Sequence, residues 1–218
     1  MEIYVNFNAS ISHNSVMKLR KIVEDMLKEK IGEKEDRVLH LMIYSPGGDM
    51  HDALSIYNFL KRSKIKIITY NMSAIDSAAI LLFCAGEERE SPPEARFSFH
   101  PMKIKFPENK EYEIYTAQEQ VDITKSEQSN VDVIIAKTIG KDINYVNNIV
   151  NSRRVMLPKE AFDCGLVTRI GYSPIPWGTE IISIYNETLS HSFPFVSEGF
   201  CEYYWTKHTK SILVGDFY

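Results

Sequence analysis

Three short stretches of this chain carry residue types that can do acyl-transfer chemistry together. The first is "YSPGGD" (residues 44–49), where two consecutive glycines end an apolar run and open a helical pattern. Glycines there let backbone N–H groups approach a ligand without an intervening Cβ, and a helix N-terminus favours negative charge. Both are what an oxyanion hole requires. The second is Ser77, set among small and apolar residues in "NMSAIDSAAILLFCAG" (71–86), with the Ala78 N–H beside it as a further donor. The third is His100 in "FSFHP", an imidazole at a strand end stopped by Pro101. A serine attacks a carbonyl when a base takes its proton, and neutral imidazole suits that task near pH 7.

Each stretch also has an ordinary reading. "PGG" serves many strand-to-helix turns, serine is a common helix N-cap, and a single histidine often fills a surface or core position. His13, His40, His51, His191 and His208 are further histidines without comparable placement. The order of the three stretches along the chain is what favours the chemical reading.

The elements that must position these residues follow from periodicity. "EIYVNF" alternates as a strand, and Val16, Leu19, Ile22, Val23, Met26 and Leu27 fall at helical spacing. "VLHLMIY" (38–44) reads as a strand buried on both faces, followed by a helix that carries Ala53, Ile56 and Leu60. "IKIITY" (65–70) is the next strand, 77–85 a short buried helix, and "RFSFH" (96–100) a strand after the Pro92-Pro93 break. A long polar helix is expected over 117–139, closed by Gly140. Helices around 142–151 and 158–164 and the strand "GLVTRI" follow. Alternating strands and helices predict an α/β fold with a largely parallel sheet covered by helices. Residues 1–171 form one unit. Residues 172–218 read as an aromatic-rich C-terminal extension, either a hairpin or an arm against a neighbour.

Composition narrows the function classes. A formal net charge of −4 without a Lys/Arg run argues against nucleic acid or an anionic membrane as partner. Cys84, Cys164 and Cys201 are widely spaced and match no metal-ligand pattern, as suits a reducing cytosol. No basic n-region with an apolar h-region opens the chain, and no apolar run is long enough to span a bilayer. The expectation is a cytoplasmic globular protein without metal or cofactor.

"IYSPGGDMHDALSIYNFLK", "SAIDSAAILLFCAGEER" and "FSFHP" closely resemble three signature blocks of the caseinolytic protease proteolytic subunit family, ClpP. "LPKEAFDCGLVTRI" is similar to the family's late motif. The resemblance covers roughly residues 2–171 in order, and implies a ClpP/crotonase-like fold with a protruding handle helix around 117–139. It implies that Ser77 is the nucleophile and His100 the general base, with Gly48 and Ala78 amides as the oxyanion hole. It also implies a homo-oligomer of stacked heptameric rings, an AAA+ unfoldase partner and unfolded-protein or peptide substrates.

The family pattern is departed from in several places. Counting back from Glu160 on the family's spacing, its catalytic aspartate falls at Ile149, and no carboxylate lies between Asp142 and Lys159. Asn148 is the candidate third member, with Asn147 and Asn151 beside it. An Asn carbonyl can orient an imidazole, but losing the charge lowers turnover about 10⁴-fold in the serine-protease case. Asp132 and Asp163 are carboxylates elsewhere without a spacing argument. The family's axial N-terminal segment has no counterpart before the first strand, the tail after Gly171 lies outside the pattern, and the Ser77-to-His100 spacing is slightly short. A catalytically impaired scaffold or regulatory subunit is therefore the alternative to a peptidase. A crotonase-type acyl-CoA enzyme is a third reading, one that needs neither Ser77 nor His100.

Overall fold

The structure is a computed structural model that describes residues 1–28, 37–104, 106 and 111–186. Its strands are β1 (Glu2–Asn8), β2 (Val38–Ser45), β3 (Lys66–Asp76), β4 (Glu88–Ser91), β5 (Arg96–Ser98), β6 (Val155–Met156), β7 (Arg169–Ile170) and β8 (Ile181–Tyr185). Its helices are α1 (His13–Lys28), α2 (Met50–Arg62), α3 (Ala79–Cys84), α4 (Ile114–Ile139), α5 (Ile143–Asn151) and α6 (Pro158–Asp163). The strands form one sheet in the order β6-β5-β3-β2-β1-β8, with β4 joining β3 to β7. Every pairing is parallel except β5 with β6. The α/β fold with helix-covered parallel strands is thus as the sequence predicts. Val5, Phe7, Leu39, Leu41 and Ile43 are fully buried at its centre. Each such side chain contributes roughly 1.5–3 kcal/mol by leaving water.

Several boundaries differ from the sequence expectation. The strand expected over 65–70 continues to Asp76, and this matters most for the site. At Asn71 the strand leaves a regular register with β2, where Ile43↔Asn71 gives way to Ser45↔Ile75. It also changes its other neighbour, pairing with β4 up to Tyr70 and with β5 from Ala74. The buried Asn71 amide serves this kink: its Nδ2 donates to the Arg96 carbonyl (3.0 Å) and its Oδ1 accepts from Ser73 N–H (3.0 Å). The stretch "NMSAID" does not alternate cleanly, so its periodicity conceals the strand. β4 is four residues with three charged side chains, of which Arg89 and Glu90 are buried. The Arg89 guanidinium donates to the carbonyls of Leu166, Gly86 and Gly165. Those bonds hold Gly165 to Val167 as a turn, and only Arg169–Ile170 of "GLVTRI" is strand. Within the 172–218 segment, Ile181–Tyr185 adds a parallel edge strand beside β1; the rest of the tail from residue 187, Cys201 included, lies outside the described residues.

α4 begins three residues earlier than expected and projects from the body. Its buried side chains, Val131, Asp132, Ile135, Ala136 and Ile139, all lie in its C-terminal half. Ile114 and Tyr115 at the other end are 83% and 87% exposed. At 26 residues the helix is about 39 Å long. Among the described residues no helix is long and apolar enough to cross a membrane.

One histidine is folded into the sheet. His40 on β2 stacks on Tyr4 (ring centroids 4.1 Å apart), and its Nδ1 lies 2.8 Å from the Tyr70 hydroxyl. Burial pushes the His40 pKa down, against an opposing pull from Glu2. A base that resists protonation only when folded supports stability above its ordinary pKa, and that support is lost as pH falls through the window below it. Urea midpoints should therefore fall between pH 7 and pH 5. His40→Gln, which retains a partner for Tyr70, should flatten that slope; an unchanged slope would assign it to other groups.

Candidate active site

Ser77 sits where β3 ends and α3 begins, and the local backbone is unusual for its residue type. Its φ is +55°, in the left-handed region that an L-residue enters only under constraint. The constraint comes from both sides. Before it, Arg96 Nη1 and Nη2 donate to Asp76 Oδ1 (2.7 Å) and Oδ2 (3.0 Å), tying β5 to β3. Ser77 N–H then donates to the Ser98 carbonyl (2.8 Å). After it, all six residues of α3 are buried. A helix of six residues has no stability of its own, so α3 persists through burial, Phe83 packing on Phe97 (5.1 Å) and Thr69 Oγ1 donating to the Phe83 carbonyl (2.9 Å).

The capping role open to Ser77 in sequence is not what this residue does. Ala78 is the residue at the cap of α3, and no side chain bonds to that helix end. Among the described residues the Ser77 hydroxyl makes no hydrogen bond. A sharp turn between strand and helix with the serine at positive φ is the arrangement of a nucleophile elbow, which projects Oγ clear of its own backbone.

The glycine turn packs directly on this elbow. A Cβ placed on Gly47 would lie 2.8 Å from Ser77 Cβ and 3.1 Å from Ala78 N. Gly48 has φ +151°, and its own Cβ would lie 2.1 Å from the Ile11 carbonyl oxygen. The turn is held by Ile11 N–H donating to Gly47 O (2.8 Å) and Asp49 N–H donating to Ile11 O (2.9 Å). Asp49 then caps α2, its side chain accepting from Asp52 N–H (2.9 Å). Neither Gly48 N–H nor Ala78 N–H donates to an acceptor among the described residues. Two unengaged donors and a free hydroxyl thus share one neighbourhood.

His100 follows the strand that pairs with the end of β3. β3 and β5 run parallel with Asp76 opposite Ser98, so Ser77 and His100 lie one and two residues past a matched pair. Side chains alternate along this segment: Phe97 and Phe99 are buried, while Ser98 and His100 are partly exposed on the other face. Phe99 N–H donates to the Arg154 carbonyl (2.9 Å), which fixes the strand end beside β6. The imidazole Nδ1 lies 2.9 Å from the Pro101 carbonyl oxygen. A carbonyl only accepts, so Nδ1 carries the proton in this contact and Nε2 is left as the basic nitrogen.

Asn148 is not brought to His100. It lies on the exposed side of α5, and no hydrogen bond joins the two. Asn147 and Asn151 instead face a cleft of about 440 Å³ whose wall starts at Pro101 and includes Met102, Gln128 and Asp132. Asp163 is on α6, paired with Lys159. The Pro101 carbonyl is the site group that residue types could not reveal, since every residue carries one. Cys84 is fully enclosed, and burial pushes its thiol up to about 12, which removes it as a competing nucleophile. Among the described residues no group of three or more His, Cys, Asp or Glu side chains could hold a metal ion.

Among solved structures the chain is similar to an asparagine-to-aspartate mutant of ClpP1 from Listeria monocytogenes. The TM-score is 0.67 at 16% identity, covering 79% of this chain and 91% of that one. At that identity the likeness speaks for the fold. The Clp protease family matches residues 7–174, well over half of the sequence, from the end of β1 to just past β7. The protein therefore belongs to the Clp protease family, a family of peptidases.

Proposed function

We propose that this protein is a serine endopeptidase in which Ser77 attacks the scissile carbonyl and His100 is the general base. His100 Nε2 takes the Ser77 hydroxyl proton as the Oγ–C bond forms. The Gly48 and Ala78 amides donate to the oxyanion, and the imidazolium returns its proton to the leaving amine. Water, deprotonated by the same imidazole, then releases the acyl group. The observation that carries this reading is the elbow at Ser77: an unbonded hydroxyl at positive φ beside two unengaged N–H donors. In this reading the Pro101 carbonyl, in place of Asn148, orients the imidazole. It supplies a tautomer and an angle without a full negative charge, so turnover is expected to be modest. The exposed Ile114 and Tyr115 on the projecting α4 support assembly of copies into a homo-oligomeric ring.

The test is covalent labelling. The wild-type protein should react with a fluorophosphonate at Ser77, located by peptide mass spectrometry, and Ser77→Ala and His100→Ala should not react. An assembled wild-type protein that never labels would remove the peptidase reading in favour of the impaired scaffold.

A further inference from the structure

The cleft that starts at Pro101 has mixed walls, apolar at Met102, Ile104 and Val121 and polar elsewhere, and one carboxylate lies at its base. Asp132 on α4 is 3% exposed, yet it lines the cleft. Its Oδ1 accepts from Gln128 Nε2 (2.7 Å), and Gln128 Oε1 accepts from Met102 N–H (2.7 Å). This chain of bonds fixes the Gln128 amide and ties the segment after His100 to the helix. It leaves Asp132 Oδ2 with no hydrogen bond among the described residues. Thr124, Ser129, Asn147 and Asn151 complete much of the wall as neutral hydrogen-bonding groups. Lys125 is the other ionisable residue on the cleft, and it is exposed at the rim, where solvent screens it.

A buried carboxylate with an open oxygen is a costly arrangement unless something positive meets it. Burial accordingly pushes the Asp132 pKa up, against a smaller opposing effect of the Gln128 bond. A cationic side chain entering the cleft would restore the charged form and gain a charge-assisted hydrogen bond. The cleft starts at Pro101, the residue after His100 whose carbonyl meets the imidazole; on the serine-peptidase reading it is the opening offered to a side chain next to the scissile bond.

Resting on the serine-peptidase reading above, we propose that Asp132 is a specificity-determining residue and that the protein selects substrates with Lys or Arg beside the cleaved bond. Asn147 and Asn151 are suited to add acceptor oxygens around the cation, and the cleft is large enough for an extended side chain.

The full-length protein is incubated with a library of internally quenched peptides, and cut sites are mapped by mass spectrometry. Lys and Arg should exceed Leu and Phe at one position flanking the cut by about tenfold, the scale of one charge-assisted contact. Asp132→Asn, which keeps the acceptor for Gln128, should bring that ratio close to one. Lys125→Glu, an exposed change with no burden on folding, should raise it by about threefold. Fluorophosphonate labelling of Ser77 is followed in all three proteins. If Ser77 labels and peptides are cut with an apolar preference that neither variant moves, the inference is overturned while the peptidase reading stands. If Ser77 does not label and nothing is cut, the peptidase reading has failed and this inference falls with it.

Discussion

Gly48→Ala should destabilise the protein by roughly 3–5 kcal/mol and silence the site with it. The added Cβ would lie 2.1 Å from the Ile11 carbonyl oxygen and 2.9 Å from the Ile11 backbone N and C. Those are main-chain atoms, so no rotamer change relieves the contact. The two strands of backbone must part, and the bonds from Ile11 N–H to Gly47 O and from Asp49 N–H to Ile11 O go with them. Losing them costs about 1 kcal/mol each, and a side chain at φ +151° adds about 1–3 kcal/mol of strain. For a chain of this size the melting temperature should fall by about 6–20 °C. Gly140→Ala is the control. That glycine closes α4 at φ +66° with nothing within 4 Å of a Cβ, so its cost should be only about 1–2 kcal/mol. Thermal melts of the two variants side by side measure the difference. Equal losses would show that the turn tolerates a wider geometry than the Ile11 contacts imply.

On the serine-peptidase reading, His100→Ala should lower peptide turnover by about 10²-fold, the part of a full triad's effect left where no acid backs the base, and Ser77→Ala by the same order, because nucleophile and base act as one unit. The double variant should be no worse than either. Asn148→Ala separates the two groups that could orient the imidazole. With the Pro101 carbonyl 2.9 Å from Nδ1, kcat should stay within about twofold of wild type, since a main-chain acceptor survives every side-chain change. A fall with Asn148→Ala as large as that with His100→Ala would place the asparagine in contact with His100 in the working enzyme, against the resting geometry. Single-turnover kinetics make the comparison independent of product release.

The elements that carry regular periodicity were legible before folding. The apolar run of β2, the spacing along α1 and α2 and the glycine after Ile139 each encode their structure locally, through burial patterns and a single permissive backbone residue. The ordered blocks around Gly47-Gly48, Ser77 and His100 likewise sufficed to recognise the family, because several motif blocks in the right order are a specific signal. β4, β6 and the second half of β3 were not legible, since short strands gain their stability from partners distant in sequence. Arg89 illustrates the reason: a charged side chain argues against burial until three carbonyls from two other segments are brought to it.

What the sequence by itself determined is therefore the chemistry available: a serine, an imidazole, a glycine turn and a chain able to form a parallel α/β sheet. What only the tertiary structure decided is how those groups are held. The positive φ of Ser77 comes from Arg96 and Ser98 pulling the end of β3 against β5 while a buried α3 pulls it the other way. The acceptor for His100 is a carbonyl, which no residue code distinguishes, and the charge in the neighbouring cleft comes from a helix that starts beyond the site in sequence. Backbone groups and long-range neighbours have no signature in residue types, and they are the parts that set how Ser77 and His100 are held and the preference we propose for Asp132.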